Sequence, residues 1–258
     1  MENIKENRDL LLSKIKRVHK SSFYSINKIP KLVAVSKKQD DYKIDEAIEC
    51  GHKFFGENRV QEAFLRWNER IKIYKDLELR LIGPLQTNKV KQSLDLFDVI
   101  ETIDREKLAK EVAKNFNNNA KTRSFYIQIN TGNEPQKSGL DPLQADTFIN
   151  YCIKDLNLPI VGLMCIPPII EEPSMHFLLL QKIAYRNNLS ELSMGMSSDY
   201  EDAIKFGATS VRIGSLLFGE RQVWLEYMTR FFFLSLKIFF IMFIGINLYR
   251  YSLSHINS

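Results

Sequence analysis

Short apolar runs alternate with longer amphipathic stretches along most of this chain, and this alternation restricts the fold more than any other feature. Eight runs have the length and the apolar character of buried strands. They lie within residues 31–38, 53–55, 79–82, 99–102, 124–130, 159–164, 191–193 and 210–213. Helical spacing is seen before the first run, in residues 5–19, and between later runs, in residues 41–51, 59–71, 106–115, 142–154 and 172–185.

Strict alternation of strands and helices requires parallel strands joined by right-handed crossovers. Eight such units close into a single (β/α)8 TIM-type barrel, in which functional side chains lie at the C-terminal ends of the strands. A doubly wound open sheet is the alternative. No Gly-x-Gly-x-x-Gly follows the first strand to favour its dinucleotide-binding form, so we predict an α/β fold with one barrel.

Composition excludes several classes of protein. The 258 residues are 45% hydrophobic and 26% charged, as in soluble globular proteins. The net charge of +5 includes no basic block with interleaved aromatic residues, so we do not expect nucleic-acid binding. Cys50, Cys152 and Cys165 show no metal-ligand spacing, and no signal peptide begins at Met1. We therefore predict reduced, buried thiols, no metal site and a cytoplasmic location.

The first predicted strand ends in two adjacent lysines, Lys37 and Lys38. Because side chains alternate along a strand, Val33, Val35 and Lys37 share a face and Lys38 points the other way. A lysine at the barrel mouth on the apolar side of its strand is a candidate for a desolvated amine that forms a Schiff base with an aldehyde. An exposed loop lysine is the alternative interpretation of Lys37.

Other strand ends carry polar groups with two possible roles. After the second strand, Gly56 suits a tight turn, and Asn58 is either a helix N-cap or an amide that faces a ligand. After the seventh strand, a glycine and two serines precede a helical stretch that begins near Asp199, and Gly214 and Ser215 lie at the tip of the eighth strand. Hydroxyls and the N–H groups of a helix start bind anions, and barrels characteristically bind phosphate after strands seven and eight.

An amine after the first strand and a phosphate site after strands seven and eight predict a cofactor with both an aldehyde and a phosphate. Pyridoxal 5′-phosphate (PLP) has both groups. Arg212, two residues before Gly214, would then face the ring nitrogen and set its electronic properties.

Seven motifs, in order over residues 32–221, resemble those of the pyridoxal phosphate homeostasis proteins. They are Ala34-Val-Ser-Lys37, Phe55-Gly-Glu-Asn-x-Val-Gln-Glu62, Ile82-Gly-Pro-Leu-Gln-x-Asn-Lys89, Lys137-Ser-Gly139, Gly162-Leu-Met-x-Ile-Pro167, Leu192-Ser-Met-Gly-Met-Ser197 and Val211-Arg-Ile-Gly214. The resemblance implies a single alanine-racemase-like barrel, of the type III fold among PLP proteins, with the cofactor linked to Lys37. It further implies two sets of cofactor contacts, with the phosphate at Ser197, Gly214 and Ser215 and with the ring at Asn58, Met196 and Arg212.

One position departs from the family's pattern. Arg80 and Leu81 stand before Ile82, where the resemblance predicts a histidine and an aromatic residue. No role of that histidine can be transferred to this chain.

The resemblance implies a binding protein for intracellular PLP homeostasis, without catalytic residues and with PLP-dependent apo-enzymes as possible partners. The resemblance implies that racemases and decarboxylases of this fold have a C-terminal β-domain in addition to the barrel, and that a dimer partner supplies an acid–base group to the site. The chain after Arg221 is too short and too apolar for such a domain. We therefore expect a monomeric carrier. A PLP-dependent enzyme of the amino-acid racemase type is the first alternative, and a phosphate-binding barrel with an idle Lys37 is the second.

We divide the chain into a barrel with its opening helix, residues 1–224, and an apolar tail, residues 225–258. Family members of this kind usually end soon after the segment equivalent to residues 218–221. Within the tail, residues 231–249 have the length of a minimal membrane span but include Lys237. Three interpretations stay open, a tail anchor, a helix packed on the barrel and sequence from an altered reading frame, and the last two together are favoured over membrane contact.

Overall fold

The computed structural model describes residues 3–22, 28–117 and 120–219. Its eight parallel strands close in sequence order, so that β8 pairs with β1, and the predicted TIM-type barrel is confirmed. The strands are β1 (Lys31–Val35), β2 (Phe54–Glu57), β3 (Glu78–Leu81), β4 (Val99–Ile103), β5 (Ser124–Ile129), β6 (Ile160–Cys165), β7 (Glu191–Ser193) and β8 (Ser210–Ile213).

Helices connect the strands on the outside of the barrel. They are α1 (Ile4–Lys20), α2 (Asp41–Glu49), α3 (Val60–Trp67), α4 (Arg70–Ile73), α5 (Val90–Leu96), α6 (Glu106–Asn115), α7 (Ala145–Asn150), α8 (Pro173–Arg186), α9 (Tyr200–Lys205) and α10 (Ser215–Phe218). Short 3-10 turns precede α5 and α7, and a π-helical turn follows α7.

Both faces of the strands are buried, which is why the strand sequences read as continuous apolar runs. Leu32 and Ala34 of β1 point outward into the main core between barrel and helices. Val33 points into the barrel, where it packs with Ile82 over Gly56. A Cβ atom at Gly56 would lie 2.8 Å from Ile82 Cδ1 and 3.1 Å from Val33 Cγ1. The predicted turn at Gly56 is therefore wrong, because this glycine lies inside β2 and is required by close packing in the interior.

The helix α2 has Asp40 as its N-cap, and two helix predictions need correction. The helix predicted over residues 59–71 is split into α3 and α4 at Asn68 and Glu69, and the stretch 142–154 is a 3-10 turn, α7 and a π-helical turn in succession. Gly51 has a φ of 80° just past α2, where a left-handed residue commonly ends a helix.

The three cysteines are free thiols, and Cys152 and Cys165 are buried as predicted, whereas Cys50 is half-buried. None of the helices in the described ranges is long and apolar enough to cross a membrane. The predicted tail, residues 225–258, lies outside the described residues.

Candidate functional site

Four neighbouring strands bring all seven predicted site residues to the same side of the barrel mouth. The pairing order runs β7, β8, β1, β2, with Val33 of β1 opposite Arg212 of β8 and Val35 opposite Gly56 of β2. Lys37 follows β1, Asn58 follows β2, Met196 and Ser197 follow β7, and Gly214 and Ser215 follow β8. Because β8 pairs with β1, site residues that are far apart in the sequence become neighbours in the closed barrel.

Lys37 is half-buried in the turn that leaves β1. The preceding residue, Ser36, is fully buried on the outer side, where its hydroxyl donates to Glu57 Oε1 at 2.7 Å. The following residue, Lys38, is exposed and has a φ of 59°. Since Val33 faces the interior and Ser36 faces outward, the alternation places Lys37 on the interior side of the mouth.

Asn58 does not cap a helix, because α3 begins after Arg59 and shows no side-chain capping bond. Its side-chain Oδ1 is buried and has no hydrogen-bond partner among the described residues. Gly83 packs closely against its backbone, since a Cβ atom there would lie 2.3 Å from the Asn58 carbonyl oxygen. A buried acceptor without a partner is costly, so the structure favours a ligand-facing amide over a cap.

The serines after β7 and β8 meet, with Ser215 Oγ donating to Ser197 Oγ at 3.2 Å. Gly214 backs onto the end of β1, since a Cβ atom there would lie 3.4 Å from the Val35 carbonyl oxygen. The two hydroxyls therefore sit beside the turn that carries Lys37. Neighbouring hydroxyls and main-chain N–H groups suit an anionic oxygen cluster such as a phosphate.

The loop after β7 is folded around Asp199. The N–H of Met196 donates to Asp199 Oδ1 at 2.5 Å, and the N–H groups of Asp199 and Tyr200 donate to the Met196 carbonyl oxygen. Gly195 has a φ of 94°, and a Cβ atom there would lie 2.6 Å from Ala203 Cβ. Burial raises the pKa of Asp199, against the opposing effects of the Met196 N–H and the nearby Arg212 charge. This packing sets the position of Met196 and Ser197.

Arg212 is buried inside the barrel, below Gly214. Its Nη1 donates to Ser193 Oγ at 2.6 Å and its Nη2 to the Cys165 carbonyl oxygen at 2.8 Å. The Ser193 hydroxyl in turn donates to Glu101 Oε2 at 2.6 Å. Because a guanidinium only donates and a carboxylate only accepts, the Ser193 proton must point to Glu101.

The interior contains a chain of charges that the sequence did not reveal. Arg80 donates from Nη1 to Glu101 Oε1 at 2.8 Å and from Nε to Glu78 Oε1 at 2.7 Å. Glu78 also binds Lys31 Nζ at 2.8 Å, near the other end of the barrel. The Coulomb attraction of its carboxylate neighbours raises the pKa of Arg80 although burial opposes it. In the sequence, the only sign of this charge network is Arg80 itself, which stands where the resemblance predicts a histidine. No sequence pattern identifies Glu78 and Glu101 as the partners of Arg80.

These groups fit a ligand with an aldehyde at one end and a phosphate at the other. Lys37 supplies an amine, the Ser197 and Ser215 hydroxyls suit an anion, and Asn58 Oδ1 has unused hydrogen-bonding capacity. Arg212 adds a permanent cation in the interior. Asn58 Oδ1 is buried and has no hydrogen-bond partner among the described residues, so it is available to a polar ligand.

A separate open groove of about 1070 Å³ lies on the opposite side of the barrel, after β4 and β5. It is lined by residues that include Arg105, Glu106, Phe148, Tyr151 and Lys154. None of the seven site residues lines it, so it is not part of the candidate site.

A family model described as "Alanine racemase, N-terminal domain" matches residues 16–222. A protein of Aquifex aeolicus named "Pyridoxal phosphate homeostasis protein" is 42% identical over 201 residues, covering 74% of this chain and 87% of the relative. The human protein of the same name is 35% identical over 213 residues, covering 75% and 77%.

Solved structures give the same relationship. PipY of Synechococcus elongatus, in a structure without PLP, matches with a TM-score of 0.73 and 31% identity, covering 84% of this chain and 100% of that one. The same protein with PLP bound matches with a TM-score of 0.69 and 30% identity over the same shares of the two chains. By its family match and its relatives, the chain belongs to the alanine racemase N-terminal domain family and, within it, to the pyridoxal phosphate homeostasis proteins.

Proposed function

We propose that this chain binds pyridoxal 5′-phosphate at the barrel mouth, as a Schiff base on Lys37, and acts in intracellular PLP homeostasis by holding and releasing the cofactor. The observation that carries the proposal is the meeting of the Ser197 and Ser215 hydroxyls, 3.2 Å apart, beside the turn of Lys37. Relatives named for this role, at 35–42% identity, and the PLP-bound structure of PipY support it.

Each site residue has a separate part in the proposal. The Lys37 nitrogen adds to the aldehyde carbon, a C=N bond forms and water leaves, so the linkage is reversible by hydrolysis. Ser197, Gly214 and Ser215 hold the phosphate, and Asn58 and Met196 contact the ring. Arg212 donates toward the ring nitrogen, and because a guanidinium cannot accept a proton or give one up, it keeps that nitrogen unprotonated.

Burial holds two groups that can exchange protons, Cys165 and Tyr126, in their protonated forms. When bound, PLP supplies an electron sink, but racemisation also needs side chains that remove and return a proton near neutral pH. Burial raises the pKa of the Cys165 thiol to about 12 and also raises the pKa of Tyr126 inside the barrel. A raised pKa makes either group a weaker candidate for proton removal, so these two side chains give no support to the racemase alternative.

The proposal includes two further points. The protein is a cytoplasmic monomer, and it passes PLP to apo-enzymes. The three free thiols are compatible with a reducing compartment. Sedimentation of the purified protein with and without PLP tests the monomer directly.

The test is to load the protein with PLP, remove the free cofactor, and add an apo-aminotransferase or L-alanine in separate reactions. A carrier restores aminotransferase activity and forms no D-alanine above the level given by free PLP. Formation of D-alanine in proportion to protein would establish the racemase alternative. Retention of phosphate compounds without any visible absorption band would leave a phosphate-binding barrel.

A further inference from the structure

The turn that carries Lys37 holds one residue in an unfavourable backbone conformation. The Gln39 N–H donates to the Ser36 carbonyl oxygen at 3.1 Å, so residues 36–39 form a β-turn. Lys38 is its third residue and has a φ of 59°. This left-handed position is the mark of a type II turn and normally carries glycine or asparagine. A lysine persists there only if surrounding contacts hold it.

Arg66 of α3 supplies such contacts from outside the barrel. Its Nη1 donates to the Ser36 carbonyl oxygen at 2.8 Å, and its Nη2 donates to the Gln39 carbonyl oxygen at 3.0 Å. One planar guanidinium therefore ties the first residue of the turn to the last. Because its donors have a fixed fork geometry, it fixes the relative positions of these two carbonyl groups.

Glu57 of β2 holds the side chain that precedes Lys37. One oxygen of its carboxylate, Oε1, accepts from Ser36 Oγ at 2.7 Å, from Trp67 Nε1 at 3.1 Å and from Arg66 Nη1 at 3.4 Å. The side chain is 1% exposed, and Oε2 has no hydrogen-bond partner among the described residues. A buried carboxylate is stable only with such partners, so the outward direction of the Ser36 side chain is strongly specified. With Ser36 directed outward, the alternation of side chains favours an inward Lys37.

We infer that Arg66 and Glu57 are positioning residues that select Lys37, rather than the adjacent Lys38, as the amine that binds the aldehyde. The inference rests on the proposed function. The two lysines have the same chemistry and differ in direction, with Lys38 exposed and Lys37 half-buried toward the mouth. When the clamp formed by Arg66 and Glu57 is released, Lys38 leaves its left-handed conformation, and the turn presents either amine to the mouth.

The experiment measures which lysine carries the cofactor after borohydride reduction. Hydride adds to the carbon of the C=N bond and a solvent proton to the nitrogen, which makes the linkage permanent. Cleavage by a protease that does not cut at lysine, followed by fragmentation mass spectrometry, gives the ratio of adduct on Lys37 to adduct on Lys38. The full chain is compared with Arg66→Met, Arg66→Lys and Glu57→Gln. Arg186→Met is the control, because it removes a half-exposed ion pair between α8 and Asp146 of α7, far from the turn in sequence.

The full chain and Arg186→Met should carry the adduct on Lys37. In Arg66→Met the ratio should shift toward Lys38 by about tenfold or more, the scale expected when strain at one left-handed residue is released. Arg66→Lys, which keeps the charge and loses the fork, and Glu57→Gln should shift it in the same direction.

An unchanged ratio in folded Arg66→Met, Arg66→Lys or Glu57→Gln would overturn the inference. If Arg66→Met does not fold, the two milder variants decide the question. Absence of adduct on both lysines in the unsubstituted chain would instead contradict the proposed function, so the two failures are distinguishable.

Discussion

The Arg80 guanidinium lies 2.8 Å from the Glu101 carboxylate inside the barrel, and their side chains are 2% and 0% exposed. Glu101 also accepts from the Ser193 hydroxyl, which in turn accepts from Arg212. The buried pair therefore connects the lower interior of the barrel to the arginine nearest the candidate cofactor site. Its two members are not equivalent, because Arg80 has a second carboxylate partner in Glu78, whereas the second partner of Glu101 is a neutral hydroxyl.

We predict that Arg80→Met lowers the free energy of unfolding by about 3–5 kcal/mol, because it leaves Glu101 buried without a cation. Glu101→Gln should cost less, since Arg80 keeps Glu78. Urea unfolding of the PLP-free protein at neutral pH measures both effects. Equal losses in the two variants, or a loss below about 0.5 kcal/mol for Arg80→Met, would contradict this account of the interior.

His52 should make stability depend on pH in a defined window. Burial, with a smaller contribution from the Arg8 charge, lowers the pKa of His52 from 6.5 to about 4. The folded protein therefore keeps His52 neutral, while the unfolded chain binds a proton below its ordinary pKa. The contribution of neutral His52 to the free energy of unfolding is therefore fully present above about pH 6.5. It is lost as the pH falls toward 4, and the total loss is about 3 kcal/mol.

The measurement is urea unfolding at several pH values for the unsubstituted protein and for His52→Gln. Glutamine does not titrate and keeps a donor for the Phe54 carbonyl oxygen, which lies 2.9 Å from His52 Nε2. The stability difference between the two proteins should shrink as the pH falls from 6.5 to 4. A constant difference across that window would show that His52 does not titrate differently in the folded state.

The two serines at the mouth should matter for binding and not for folding. Each hydroxyl lost from a phosphate contact is expected to weaken PLP binding by about tenfold, as for other hydrogen bonds to charged groups. Ser197→Ala and Ser215→Ala should leave the midpoint of unfolding unchanged, and Ser13→Ala on α1 is a matched control. Fluorescence titration with PLP measures the affinity. A double variant that binds PLP as tightly as the unsubstituted protein would show that these two serines do not bind the phosphate.

The barrel should bind its cofactor without the residues after Trp224. All seven candidate residues lie between Lys37 and Ser215. A chain that ends at Trp224 is therefore expected to bind PLP with the affinity of the full chain in the same titration. Loss of binding by this shorter chain, if it remains folded by circular dichroism, would contradict the division at residue 224.

Much of the fold could be predicted from local sequence because parallel barrel strands are buried on both faces. The run of residues 210–213 was predicted as a strand and is β8 without change, and the pairing of β8 with β1 follows from the count of eight. The prediction that Lys37 points inward likewise needs only the alternation of side chains, together with the position of Val33.

Other features depend on contacts across the barrel and could not be predicted. Arg80 and Glu101 are 21 residues apart, and only the registers of β3 and β4 bring them together. The close packing at Gly56 could not be predicted for the same reason, because the side chains that exclude a Cβ atom there are Val33 of β1 and Ile82, which follows β3. For Asn58 taken alone the sequence favours a helix N-cap, and this prediction is wrong because α3 begins after Arg59.

The central claim is that the amine of Lys37 holds PLP at the mouth of this barrel. Its most direct test is borohydride reduction of the PLP-loaded full chain, followed by peptide mapping, with Lys37→Ala and Lys38→Ala treated in parallel. The account predicts one adduct on Lys37, which persists in Lys38→Ala and is lost in Lys37→Ala together with the visible absorption band. Adducts scattered over surface lysines, or an undiminished band in Lys37→Ala, would contradict it.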